Sequence, residues 1–183
     1  GLLCTTAADE PVAAVVHSNE TFRLPFTGLR IKHEGLTISA DTVAGPVLPI
    51  KFITSNPVGS FVTSTSLSYD PAEPGQPTEL TVGFTAQMNI TPGEVVALTL
   101  PGWISDNVFN FPVVSSPDGS VALASWLKDS SRLIMTSAGG GVLAGVPTVV
   151  KVPQLNGIRL PRKGTVVNQR DFTIETNAIQ GPV

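Results

Sequence analysis

Two Asn-x-Thr triplets are the most explicit chemistry in the sequence: Asn19-Glu20-Thr21 and Asn89-Ile90-Thr91, neither with a central proline. In a secreted eukaryotic chain such a triplet accepts N-linked sugar on the asparagine side chain, provided the backbone is accessible. Asn19 falls in the polar run His17-Ser18-Asn19-Glu20, and Asn89 stands just before Thr91-Pro92-Gly93, a turn composition. Both are candidate glycosylation sites, with sugar expected on at least one, against the bland alternative that so short a pattern arises by chance. The Ser/Thr- and Pro-rich stretches 63–65 and 71–77 are compositional candidates for O-linked sugar, with no single residue marked out.

Other chemistry is thin. Nucleophilic or acid–base catalysis would call on His17 and His33, the only histidines, yet no Gly-x-Ser-x-Gly elbow accompanies them. Cys4 is the single cysteine, so no internal disulfide can form, which by itself fits either side of a membrane. No enzyme is expected, and no cofactor. The acidic residues Asp9-Glu10, Asp70 with Glu73, and Asp106-Asn107 could collect calcium oxygens, but they lack the alternating ligand spacing of a calcium loop. Turn formation explains them as well, and no metal is expected. Trp103, Trp126 and Tyr69 could stack on sugar rings, and the competing reading is core packing. Gly139-Gly140-Gly141 has neither the strand–helix context nor the lysine of a phosphate loop.

The elements that must position these residues are short strands. Leu80, Val82 and Phe84 alternate with polar neighbours, as do Val96, Leu98 and Leu100, the period of a half-buried strand. Similar runs occur at 22–24, 29–32, 36–39, 47–54, 61–69, 108–114, 121–126, 133–136 and 148–152. Residues 120–133 place Leu123, Trp126 and Leu127 on one helical face, but strand–turn–strand is the preferred reading there. With 17 Gly and 16 Pro scattered without a short period, long helices and collagen are both disfavoured. The fold class is therefore all-β, an antiparallel sandwich.

Composition narrows the partners. Charged residues make up 14% of the 183 residues, against about 25% in ordinary soluble domains, so the chain has few charges to cover its surface. Neighbouring subunits or glycans could cover the remainder. The net charge of −3 comes without a basic cluster, which argues against nucleic acid and anionic membranes. No run of about 20 apolar residues is present, so no membrane insertion is expected. Without a signal-peptide pattern and starting at glycine, the sequence reads as a mature or partial chain.

One segment occurs twice. Pro25-Phe-Thr-Gly28-Leu29-Arg30-Ile31, Leu36-Thr37-Ile38 and Gly45-Pro46-Val47 match Pro153-Gln-Leu-Asn-Gly157-Ile158-Arg159-Leu160, Phe172-Thr173-Ile174 and Gly181-Pro182-Val183. The approach matches too, Leu2 to Ala7 over Leu133 to Ala138, placing Cys4 over Met135. Arg162 stands where His33 would be, which removes the histidine from the second copy. Arg30 and Arg159 are equivalent, and an ion pair with a neighbouring carboxylate is the modest expectation for them. A collinear repeat of this length points to a duplicated β domain. Residues 47–183 are expected to form one complete sandwich repeat. Residues 1–46 would then be a partial repeat that can act as a donor strand, with Leu24, Leu29, Ile31 and Ile38 as its assembly residues.

The string Ile90-Thr-Pro-Gly-Glu-Val-Val-Ala-Leu-Thr-Leu-Pro-Gly-Trp103, with Ala124-Ser125-Trp126 and Gly157-Ile-Arg-Leu-Pro161, resembles tandem immunoglobulin-like β-sandwich repeats of large secreted microalgal and protist proteins. The resemblance covers about residues 48–183 and the partial copy before them. It implies an extracellular, glycosylated, non-enzymatic protein in a fibre or cell-surface coat. The short chain departs from that pattern, since such repeats belong to longer arrays. The expectation is thus a structural subunit of a filament of identical subunits, assembled head to tail. The alternative is a carbohydrate-binding or adhesion module on a protist cell surface.

Overall fold

The structure, a computed structural model, describes residues 29, 34–41, 43, 45–55, 58–62 and 65–183. In chain order the strands are β1 (Thr37–Ala40), β2 (Val47–Lys51), β3 (Ser66–Asp70), β4 (Glu79–Thr85), β5 (Val95–Thr99), β6 (Val108–Pro112), β7 (Val114–Ser116), β8 (Val121–Leu127), β9 (Arg132–Ser137), β10 (Pro147–Val152) and β11 (Thr173–Thr176). A single turn of 3-10 helix, Gln154–Asn156, is the only helical element among the described residues. The all-β expectation holds, as does strand–turn–strand across residues 120–133.

Two antiparallel sheets share one core. One runs β3-β4-β10-β7 and the other β11-β5-β9-β8-β6. Alternation in the sequence explains which side chains face inward. Leu80, Val82 and Phe84 of β4 are buried and face Leu98, Leu133 and Met135 of the second sheet within one apolar cluster. Every residue of that cluster, its partly buried margin included, lies between Phe61 and Ala178. Among the described residues, 58–183 therefore carry the core.

Two departures from simple alternation have identifiable causes. In β8 the ladder to β9 shifts register between Val121 and Leu123. That bulge reverses the parity, so Val121, Ala124 and Trp126 point inward and Leu123 is exposed. The run at 108–114, expected as one strand, is two. β6 pairs with β8 in one sheet, whereas β7 pairs with β10 in the other. The change of sheet occurs at Pro112 and Val113, where proline removes a ladder donor.

β1 and β2 stand apart as a two-stranded antiparallel sheet in which every residue is exposed. The boundary expected between residues 46 and 47 falls in the connection joining them. Leu29 and Val58 exchange backbone hydrogen bonds of 2.8 Å. Beyond Val58 the chain enters the core through Gly59, whose N–H donates to the Pro182 carbonyl at 3.3 Å.

Candidate assembly groove

Where both sheets end on one side, β3 and β11 leave a groove of about 620 Å³. Leu67 and Tyr69 of β3 line it with Phe172 and Ile174 at β11, and it reaches Val82 and Leu98 on the strands behind. These four edge side chains are only partly buried, although they pack on the core. The ring of Tyr69 meets Trp103 edge-on at 5.6 Å, and Trp103 meets Phe172 at 6.3 Å. The Tyr69 hydroxyl shares a hydrogen bond with that of Thr165. Such an opening exposes apolar core and unpaired strand backbone together.

The outer edge of β11 is partly occupied by the chain's own end. Thr176 N–H donates to the Val183 carbonyl at 3.2 Å, and Val183 N–H donates to the Thr176 carbonyl at 3.1 Å. At an offset of 136 residues, Ala40 and Val47 are partners in the β1–β2 ladder. The intervening glycines correspond too, with φ of 143° at Gly45 and 156° at Gly181, a region glycine adopts without steric cost. Along Thr173 and Ile174 no strand pairs with the outer edge of β11 among the described residues.

Glu94 fastens this end of the chain. Its Oε2 accepts the Thr91 N–H at 2.6 Å and its Oε1 accepts the Ile179 N–H at 2.9 Å. Burial pushes the carboxyl up. The backbone N–H groups of Ile179 and Thr91, with the Thr91 hydroxyl, outweigh it and hold the carboxyl below its ordinary value. Beside it, the Asn177 side chain accepts the Val95 N–H at 2.8 Å. The turn Thr91-Pro92-Gly93-Glu94 thus clamps residues 177–179 from 85 positions away in sequence.

The expected site residues are dispersed. Asn19, Leu24 and Ile31 lie outside the described residues. Leu29 is half-buried beside Val58, and Ile38 is exposed on β1. Asn89 is half-buried. Its Oδ1 accepts the Ala144 N–H at 2.8 Å, and its Nδ2, the atom that carries N-linked sugar, has no hydrogen bond among the described residues. Trp103 and Trp126 are in the core, so neither offers a stacking face to sugar. Arg159 donates to the Gly75 carbonyl at 3.3 Å and forms none of the ion pairs among the described residues, contrary to the carboxylate bridge expected of it. Lys128 pairs with Asp106 at 3.0 Å and donates its N–H to Asn107 Oδ1 at 2.7 Å, which gives this acidic turn a structural task. Among the described residues no group of three or more His, Cys, Asp or Glu is placed to hold a metal ion, and no helix is long and apolar enough to cross a membrane.

Sequence reasoning missed the groove and the Glu94 clamp. Glu94 follows Thr91 at the spacing of a turn-closing side chain, a local signal. Its bond to Ile179 has no local signal at all. The site and fold define a two-sheet β protein with one open side; compared with family models, curated proteins and solved structures, the chain matches none.

Proposed function

We propose that the chain is a structural subunit of an extracellular glycoprotein filament, assembled head to tail by strand addition between identical subunits. The observation that carries this reading is one recurring backbone pair: Ala40 with Val47, and Thr176 with Val183. Among the described residues the chain holds two strands suited to one structural slot and a single core to receive them.

Topology supports the immunoglobulin-like form of this reading. The order β3-β4-β10-β7 follows the A-B-E-D sheet, and β11-β5 follows the F-C pair, with β9, β8 and β6 added beyond C. In that comparison the edge of β11 is where strand G would pair on F and close the side next to A. On this reading β1 is the F-like strand of a preceding copy and β2 is its G-like strand. The unit then runs from about residue 58, later than the 46/47 boundary. Because donor and acceptor surfaces differ, such contacts propagate in one direction. Sparse surface charge and two sequons fit a coat or fibre placed outside the cell.

The test compares the intact chain with residues 58–183, by sedimentation across a concentration series and by negative-stain microscopy. Filaments from the intact chain and monomers from residues 58–183 are expected. An intact chain that stays monomeric throughout, or a truncated chain giving filaments of undiminished length, overturns the reading. For the carbohydrate-binding alternative, burial of Trp103 and Trp126 leaves Tyr69, which lines the groove, as the ring of that trio open to a sugar.

A further inference from the structure

We infer that Asn89 takes sugar only before the sandwich closes: folding withdraws the acceptor triplet Asn89-Ile90-Thr91, so occupancy of this site is decided by the order of sugar transfer and strand pairing. The inference rests on the glycoprotein reading of the chain and adds when that modification happens.

Transfer joins Nδ2 of Asn89 to the anomeric carbon of an oligosaccharide carried on a lipid diphosphate. The new N–C bond replaces the bond from that carbon to the diphosphate oxygen. The lipid diphosphate leaves, and the amide gives up one proton to the transferase. Because the triplet must contain a hydroxyl two residues after the asparagine, the transferase has to reach Asn89 and Thr91 together, on accessible backbone.

Folding engages all three residues. The Asn89 Oδ1 accepts the Ala144 N–H at 2.8 Å. Ile90 is fully buried in the core cluster, and it exchanges both backbone hydrogen bonds with Val142 at 2.9 Å. The Ile90 carbonyl also accepts the Ser137 hydroxyl at 3.1 Å. Thr91 donates its N–H to Glu94 Oε2 at 2.6 Å, and its hydroxyl bonds the same carboxyl. To present the triplet, the folded chain has to break these bonds and draw Ile90 out of the core. That is local unfolding of a core position, not the motion of a loop.

A sugar already in place meets no such obstacle. The contact with Ala144 uses Oδ1, not Nδ2, and Asn89 is half-buried, not enclosed. The partners that close the site also come late. Ala144 follows Asn89 by 55 positions, so at roughly 5–20 residues per second of synthesis the triplet stays open for about 3–11 s. Ile179, the second partner of Glu94, lies 85 positions beyond it.

The test uses the full chain, made without sugar in a bacterial cytoplasm and folded, with detergent-solubilised transferase and lipid-linked oligosaccharide. A synthetic peptide of residues 84–96 in the same tube is the reference acceptor, and sugar on each is read by peptide mass. Asn89 of the folded chain is expected to react at least about tenfold more slowly than the peptide, because it waits for local opening. Gly141→Ala puts a Cβ 2.6 Å from the Ile90 carbonyl oxygen and is expected to raise the rate toward that of the peptide. Gly140→Ala, with nothing within 4 Å of its Cβ, is expected to leave the rate unchanged. Equal rates for folded chain and peptide overturn the inference. So does a slow rate that persists in a Gly141→Ala chain whose melting shows it loosened. Native material unmodified at Asn89 removes the glycoprotein reading of the site instead, an outcome on which the transferase rates do not depend.

Discussion

Thr176 and Val183 exchange both backbone hydrogen bonds, at 3.2 and 3.1 Å, and thereby hold the C-terminus against the edge of β11. The pair can form because Gly181 and Gly59 approach with no side chain between them. A Cβ on Gly59 would lie 1.9 Å from the Gly181 carbonyl oxygen, and one on Gly181 would lie 2.6 Å from the Gly59 nitrogen. Backbone, not a flexible side chain, obstructs each.

Gly59→Ala and Gly181→Ala are each expected to destabilise the fold by roughly 1–3 kcal/mol, the range for overpacking. Gly140→Ala, with nothing within 4 Å of its Cβ, is the control and should stay within about 0.5 kcal/mol. Urea midpoints at constant m-value decide it; equal midpoints for all three variants would contradict the close contact.

Glu94 gives a pH dependence with a defined sign. A carboxyl held below its ordinary value contributes stability that is complete above the unfolded value of about 4.3 and is lost as pH falls through the lower folded value. Glu94→Gln is expected to cost roughly 1–2 kcal/mol at neutral pH, through weaker acceptance of the Thr91 and Ile179 N–H groups. The gap between variant and parent should narrow as the pH drops below that window. A gap that is constant from pH 7 to acid would exclude the charge-assisted clamp.

Trp126 is fully buried, and its indole N–H has no hydrogen-bond partner among the described residues. Trp126→Ala is expected to cost about 3–5 kcal/mol, as for other large core truncations. Trp126→Phe should cost far less, because it removes the unpartnered donor while keeping most of the ring. Similar losses for both variants would mean that the indole nitrogen is satisfied in solution.

Covalent sugar on Asn19 or Asn89 should appear as a mass excess on native material that a glycosidase removes. The hydrogen bond to Ala144 uses Oδ1 of Asn89, not Nδ2, and is therefore compatible with modification. Unmodified peptides at both positions would reject the glycoprotein assignment.

Much of the secondary structure is a direct consequence of local sequence. Alternating apolar residues in 80–84 and 96–100, punctuated by Gly and Pro, require strands and turns, because only a period of two places those side chains on one face. The recurrence of residue types between 25–47 and 153–183 is likewise read from the sequence alone. Three things depended on the tertiary structure. The bulge in β8 sets which of Leu123 and Ala124 faces inward, because parity depends on pairing register with β9. Division of residues 108–114 between two sheets depends on which strands lie beside each half. The groove exists because β3 and β11, about 100 residues apart, are edge strands on the same side, and no local pattern encodes an unpaired edge.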